Sequence, residues 1–335
     1  MTDSKTVVVT GASGFIGKRI VKELLEHGYQ VRGSVRSDAK AEQTRAAVGP
    51  DGLDRLSFVH LDLNSDEGWA ESLAGADALL HTASPFPLAT PKDPQEIIRP
   101  AVDGTLRAMR AAKEAGIERV VVTSSCVAIY NDTLEAGKTA FDHTNWSPTE
   151  QSFTSAYDDS KTLAERAAWD FVRDEAPEIG LSTVNPGGVW GVPLDEHYGT
   201  SLAIVERLLN GDDPMLPNVS LPITDVSDVA AIHRVSLEND AAIGERLPAA
   251  KGQLFMPEMA KILNDNIASS KAKTRVAPNF LLRLMARFND ELKSVAPRLG
   301  KSSLVSSANT EEILGRELIG AEEALLASAR FLTES

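Results

Sequence analysis

Apolar and polar positions in the first half of the chain follow two alternating rhythms. Short β-branched runs fall at Thr6–Thr10, Gln30–Val35, Leu56–Leu61, Ala78–His81, Val120–Thr123 and Leu181–Asn185. Between them lie longer stretches of helical period, among them Lys18–His27 and Ala101–Ala115, the latter stopped by Gly116. Runs such as Val7-Val8-Val9 and Val120-Val121-Val122 lack polar alternation, so helices are expected to cover both faces of those strands. Regular succession of strand and helix predicts an α/β fold on a doubly wound parallel sheet. Beyond Pro186 the texture changes to turns around Gly187, Gly188, Gly191, Gly211 and Pro214–Pro217, followed by further helical stretches. The expected division is a first domain over residues 1–190 and a smaller, mixed substrate-binding region over 191–335, some of whose segments return to the first. The amphipathic stretch Phe280–Leu292 reads as a core-facing or lid helix.

The first strand leads through Thr10-Gly11-Ala12-Ser13-Gly14-Phe15-Ile16-Gly17 directly into a helical pattern. There Gly11 permits a tight turn, Gly14 lets the backbone approach a pyrophosphate, and Gly17 lets the helix pack on the strand. Ser13, Phe15 and Ile16 complete the loop, and unpaired N–H groups at the helix start face the anion. The sheet is therefore expected to be of Rossmann type, with the cofactor outside the carboxyl ends of its strands. A site for NAD carries a carboxylate near the end of the second strand to accept from the ribose 2′-OH. Val31-Arg32-Gly33-Ser34-Val35-Arg36 holds no acid. Arg36, with Arg32 and Lys40 in reserve, offers donors to a 2′-phosphate instead, which points to NADP (NADPH). Asp62-Leu63 after the third strand and Thr82-Ala83-Ser84 after the fourth are expected walls of the same site. Asp62 reads either as an acceptor for the adenine amino group or as a cap or turn residue.

Tyr157 and Lys161 are four residues apart and share one face of a helix. An ammonium beside a phenol favours the phenolate, lowering its pKa from about 10, and so prepares a proton donor for a carbonyl oxygen. Just past the Val120–Thr123 strand, Ser125 or its neighbour Ser124 offers a hydroxyl to the developing alkoxide.

Composition narrows the partners. A formal net charge of -14 argues against nucleic acid or an anionic membrane. The single cysteine, Cys126, allows no intrachain disulfide and no thiolate metal cluster, and reads as a small buried hydrophobe rather than a nucleophile. His27, His60, His81, His143, His197 and His233 show no metal-ligand spacing, so no metal is expected. With a short polar N-terminus and no apolar run of membrane-spanning length, the expectation is a cytoplasmic monomer or homodimer acting on a small-molecule carbonyl substrate.

Several segments together resemble a known family. Thr10–Gly17, Pro100-Ala-Val-Asp-Gly-Thr105, Val121-Val-Thr-Ser-Ser125, Tyr157-Asp-Asp-Ser-Lys-Thr-Leu-Ala-Glu165 and Asn185-Pro-Gly-Gly-Val189 are similar to the extended short-chain dehydrogenase/reductases. Within these the likeness is to the dihydroflavonol 4-reductase, cinnamoyl-CoA reductase and methylglyoxal reductase group. The resemblance implies a catalytic triad of Ser125, Tyr157 and Lys161, choosing Ser125 over Ser124. It implies NADPH as reductant, Thr123 among the cofactor contacts, and Pro186, Gly187, Gly188 and Val189 alongside the nicotinamide. Ala101 stands where many extended members carry an asparagine, so an asparagine-assisted proton relay does not carry over. Tyr130 stands where plant flavonoid enzymes carry a polar amide. Phe86, Tyr130 and His197 are the expected substrate contacts. Reduction of an aldehyde or ketone is the implied reaction; the alternatives are a nucleotide-sugar epimerase or dehydratase retaining NAD, and a non-catalytic NADP-binding redox sensor.

Overall fold

The computed structural model describes residues 4–85, 93–130, 133–151, 154–288, 292 and 295–334, the side chain of Ser201 excepted. Seven parallel strands form the main sheet: β3 (Leu56–His60), β2 (Gln30–Val35), β1 (Thr6–Thr10), β4 (Ala78–His81), β5 (Arg119–Thr123), β6 (Gly180–Pro186) and β9 (Arg246–Ala249), in that spatial order. The order reverses between β1 and β4, which opens a crevice beyond the carboxyl ends of the central strands.

The apolar runs are explained by the two layers around this sheet. Val7 and Val9 point into a core with α1 (Phe15–Glu26) and α8 (Val226–Glu238), also flanked by α2 (Asp38–Val48). Val8, between them, points into the opposite core with α3 (Trp69–Leu73), α4 (Gln95–Glu114) and α6 (Ala156–Asp174), the single turn α5 (Val127–Tyr130) lying between β5 and α6 in the chain. Each strand residue therefore meets apolar side chains whichever way it faces. The fourth helix begins at Gln95, six residues before the expected Ala101, with Pro100 inside it. Burial of Ile97 and Ile98 offsets the hydrogen bond that Pro100 cannot donate.

A smaller sheet orders β10 (Gln253–Phe255), β8 (Ser220–Asp225) and β7 (Gly188–Trp190). It packs with α7 (Gly199–Asn210), α9 (Met256–Asn266) and the helix Ala321–Glu334 around the fully buried Trp190. The helix α10 (Asn279–Met285) departs from the core-facing expectation: Phe280 is 75% exposed and Phe288, just beyond it, 87%. No helix among the described residues is long and apolar enough to cross a membrane.

One buried ion pair ties these parts together. Glu165, on α6, meets Arg246, on β9, at 2.6 Å. The arginine also donates to the carbonyls of His143 (2.9 Å), Asn145 and Ala128 (3.2 Å), and its guanidinium lies 3.7 Å over the Trp146 ring. Removing one partner from such a pair strands the other charge in the interior. Arg246→Ala is therefore expected to lower unfolding free energy by about 3–5 kcal/mol in a urea titration; a loss under about 1 kcal/mol would match an exposed pair instead.

Candidate active site

The glycine loop lies where β1 ends. Gly11 adopts φ +67, and a Cβ there would come within 3.0 Å of the Ala83 backbone. A Cβ on Gly17 would lie 2.1 Å from the Gly11 carbonyl oxygen, so helix and turn meet without a side chain between them. The amide of Gly14 donates to that same carbonyl at 3.0 Å. No side chain caps α1, and no acid occupies its first turn. Its leading N–H groups are thus left for an anion, and the residues present fit a dinucleotide pyrophosphate.

Around this cradle the strand ends are cross-tied. Thr10 Oγ1 accepts from the amides of Thr82 (3.0 Å) and Ala83 (3.1 Å) and bonds His81 Nδ1 at 2.9 Å. Arg36 is exposed at the end of β2, and Lys40 donates to Gln43 on α2 at 2.8 Å. Arg32, held in reserve on sequence, turns away and donates to the carbonyls of Ser72 and Ala74. Asp62 folds back to accept from the Asn64 amide at 2.8 Å, the turn role weighed beside the adenine one; Leu63 is half-buried beside it. Ser84 lines, with His81, Thr105, Ser124, Lys161 and Glu165, a small cavity of about 10 Å³.

The chemical groups converge on the first turns of α6. Ser155 and Asp158 form a capping box: the Asp158 amide donates to Ser155 Oγ at 3.1 Å, and the Ser155 amide to Asp158 Oδ2 at 2.9 Å. That locks the turn carrying Tyr157. Tyr157 is hydrogen-bonded to the Ser125 hydroxyl. Beyond β5 the amides of Ser124 and Cys126 donate to Val184 and Pro186 carbonyls, each at 2.8 Å, so Ser125 is held between two ladder bonds. The two candidate serines are separated by their partners: Ser124 Oγ donates to Glu165 at 2.5 Å, whereas Ser125 faces Tyr157.

Electrostatics here are set by burial. Burial pushes Tyr157 up to about 12, against the lowering effect of the Ser125 hydrogen bond and of Arg298. Lys161 is brought down to about 8 by burial, with Glu165 opposing. His81 is pushed down to about 3, by burial first and by Lys161 second, and is neutral. The groups that lower the Tyr157 pKa are Ser125 and Arg298 rather than Lys161, and the loss of hydration outweighs them.

Other expected residues sort as follows. Thr123 Oγ1 bonds His233 Nε2 at 2.7 Å, and His233 Nδ1 bonds the Val229 carbonyl at 2.7 Å. A ring N–H must face that carbonyl, so Thr123 is the donor, and its hydroxyl serves the packing of α8. Gly187 lacks a side chain for the fold's own reasons: a Cβ would lie 2.2 Å from the Pro222 carbonyl oxygen, and its amide donates to Thr224 Oγ1 at 2.8 Å. Pro186, Gly188 and Val189 continue the same edge. Cys126 is fully buried, its thiol pushed up to about 12 by burial. Tyr130, 8% exposed, packs in one apolar cluster with Tyr157. Phe86 lies outside the described residues. His197 is not brought to this corner. Its ring is exposed, its carbonyl accepts from Lys18 at 3.1 Å, and its amide donates to Asp195 at 2.9 Å, beside the cofactor loop. The sequence reading missed Glu165, Arg246 and Arg298. Only Glu165, one turn beyond Lys161, left a signal in spacing. Among the described residues no group of three or more His, Cys, Asp or Glu side chains is placed to hold a metal ion.

A dinucleotide cradle with a serine beyond β5 and a tyrosine and a lysine together on α6 defines a short-chain dehydrogenase/reductase of the extended class. The chain belongs to the NAD dependent epimerase/dehydratase family, which it matches over residues 7–247. It is 36% identical over 259 residues to cinnamoyl-CoA reductase 1 of Arabidopsis thaliana, covering 77% of this chain and 71% of that one. Its fold is similar to yeast methylglyoxal/isovaleraldehyde reductase Gre2 complexed with NADPH, at TM-score 0.81 and 28% identity over 98% of each chain. Gre2 of Candida albicans in complex with NADPH is alike at TM-score 0.81 and 29% identity, over 98% of this chain and 99% of that one.

Gly17→Ala is expected to force the loop off the helix, lowering stability by about 1–3 kcal/mol and weakening NADPH binding in a fluorescence titration. Wild-type stability and affinity would show that the contact with Gly11 is not limiting.

Proposed function

We infer that the protein reduces an aldehyde or ketone to the alcohol with NADPH as hydride donor. The observation that carries this reading is the Ser125–Tyr157 hydrogen bond with Lys161 one turn along the same helix, beside the glycine cradle. Arg36, exposed at the end of β2 without a neighbouring carboxylate in that strand, supports NADPH over NADH, as do the NADPH complexes of the similar reductases. When bound, NADPH supplies the hydride to the carbonyl carbon. Ser125 holds the carbonyl oxygen and stabilises its growing negative charge. Tyr157 delivers its phenolic proton to that oxygen. The Lys161 ammonium stabilises the phenolate left behind.

A phenol titrating at about 12 is protonated at neutral pH, as an ordinary tyrosine is, so the acid needed for reduction is present. The epimerase or dehydratase reading gains nothing here, since Cys126 and Val127 follow the serine where a dehydratase carries an acid pair. The cofactor is assigned to the glycine loop and the ends of β2 to β6. The chain is read as a cytoplasmic monomer or homodimer.

The test is loss of reduced-nicotinamide absorbance with NADPH and a panel of small aldehydes, diketones and aryl ketones. Tyr157→Phe is expected to lower kcat by roughly 10²–10⁴ and Ser125→Ala by roughly 10², while Ser124→Ala costs stability rather than turnover. No oxidation of NADPH by the wild type with any carbonyl, or wild-type turnover by Tyr157→Phe, would sink the reading. The pH dependence follows from Lys161, which is charged below about 8 and neutral above it. kcat/KM for reduction should therefore be level on the acid side and fall above that value. Lys161→Met should give a low profile without that fall; an unchanged alkaline limb would assign the fall to another group.

A further inference from the structure

Arg298 reaches the Tyr157 corner from outside the main sheet. It ends the short turn Ala296–Arg298 in the C-terminal region. Its guanidinium pairs with Asp158 and lies 5.9 Å from the centroid of the Tyr130 ring. Asp158 follows Tyr157 in the chain, is 2% exposed, and is fixed by the capping box. Tyr130 and Tyr157 share one apolar cluster. A cation thus stands over the same corner as the Ser125–Tyr157 pair, held there by a buried carboxylate that the capping box orients.

The Arg298–Asp158 pairing is incomplete. Both Arg298 Nε and Asp158 Oδ1 are buried without a hydrogen-bond partner. A guanidinium edge presents two parallel donors to a carboxylate, and here only Nη2 is used, toward Oδ2. A buried donor without an acceptor is unfavourable, so an acceptor brought to it by a ligand is selected for.

We propose that Arg298 is a specificity-determining residue: its guanidinium, tethered by Asp158, donates to a second acceptor oxygen carried beside the reacting carbonyl of the substrate. The proposal rests on the reductase reading above and names the substrate feature that the site prefers. Asp158 offsets the charge of Arg298, so a neutral keto, ester or amide oxygen fits this donor better than a carboxylate, which would also meet Asp158. The buried Tyr130 ring beside the guanidinium supplies an apolar wall for the remainder of the molecule. If Arg298 served only to hold the C-terminal region against α6, its loss would affect every substrate alike.

That difference is what the experiment reads. Wild type, Arg298→Met and Arg298→Lys, as full chains with NADPH, are compared on a vicinal diketone and on the monoketone of equal chain length. Arg298→Met is expected to lower kcat/KM for the diketone roughly ten- to hundredfold more than for the monoketone, the range of one hydrogen bond to a charged group. Arg298→Lys, which keeps the charge but not the fork, is expected to lose part of that preference and serves if the Met variant does not fold. Equal losses on both ketones, or an unchanged preference in either folded variant, overturn the proposal while leaving the reductase reading intact. A wild type that oxidises NADPH with neither ketone nor any other carbonyl would overturn that reading, and this proposal with it.

Discussion

The buried carboxylate of Glu165 is the fixed point of the site. It accepts from Arg246 on β9, from Ser124 beyond β5, from Thr183 at 2.9 Å and from Asn185 at 2.8 Å on β6. An ionised carboxylate can accept several such bonds, and here all its partners come from elements that end at the same edge of the sheet. The arginine, through its carbonyl contacts and the Trp146 ring, secures the chain before α6. A single pair therefore sets where α6 lies against the sheet, and with it where Tyr157 and Lys161 stand relative to Ser125. Such pairs are poor sources of net stability compared with apolar packing; what this one supplies is position.

The same hub explains a division of labour between two adjacent hydroxyls. Ser124 is drawn inward by Glu165, so the chain must turn the next side chain outward, and Ser125 meets the phenol of Tyr157. Glu165 also sits one helical turn from Lys161 and counteracts part of the loss of hydration there. Without it a buried ammonium would give up its proton still more readily. Structure and electrostatics are in this sense one arrangement, since the group that fixes the geometry of α6 also keeps its lysine charged at neutral pH.

Much of this molecule is legible in its sequence, and the exceptions share a cause. The glycine loop, the strands and the Tyr157–Lys161 spacing are local signals, each contained within a few residues, and the strands lie within a residue of their expected bounds. The expected start of α4 at Ala101 falls short because the buried Ile97 and Ile98 carry the helix back across Pro100 to Gln95. Arg246, in a strand otherwise apolar, acquires meaning only when β9 is found beside β6, more than fifty residues away in sequence. Arg298 lies farther still from the tyrosine it approaches. His197 lies apart from Tyr157 for the converse reason: its segment belongs to the later half of the chain, yet the Lys18–Asp195 pair draws it back to α1 at the cofactor loop.

The placement of charge reconciles an acidic protein with an anionic cofactor. Against a formal net charge of -14, cationic side chains stand at successive points of the crevice. Lys18 and Lys40 flank the loop, Arg36 ends β2, Lys161 lies in the second turn of α6, and Arg298 stands beyond it. Lys18 and Arg298 are paired with acids, Asp195 and Asp158, so their charge is locally balanced. Arg36 and Lys161 form no ion pair among the described residues, and in the proposed reaction they answer the negative charge of a 2′-phosphate and of the Tyr157 phenolate. An acidic exterior repels polyanions in general, so binding must rely on the few positions where geometry and charge coincide. Selectivity for one dinucleotide then follows from the same arrangement that places the proton donor, because both are built on the ends of the same parallel strands.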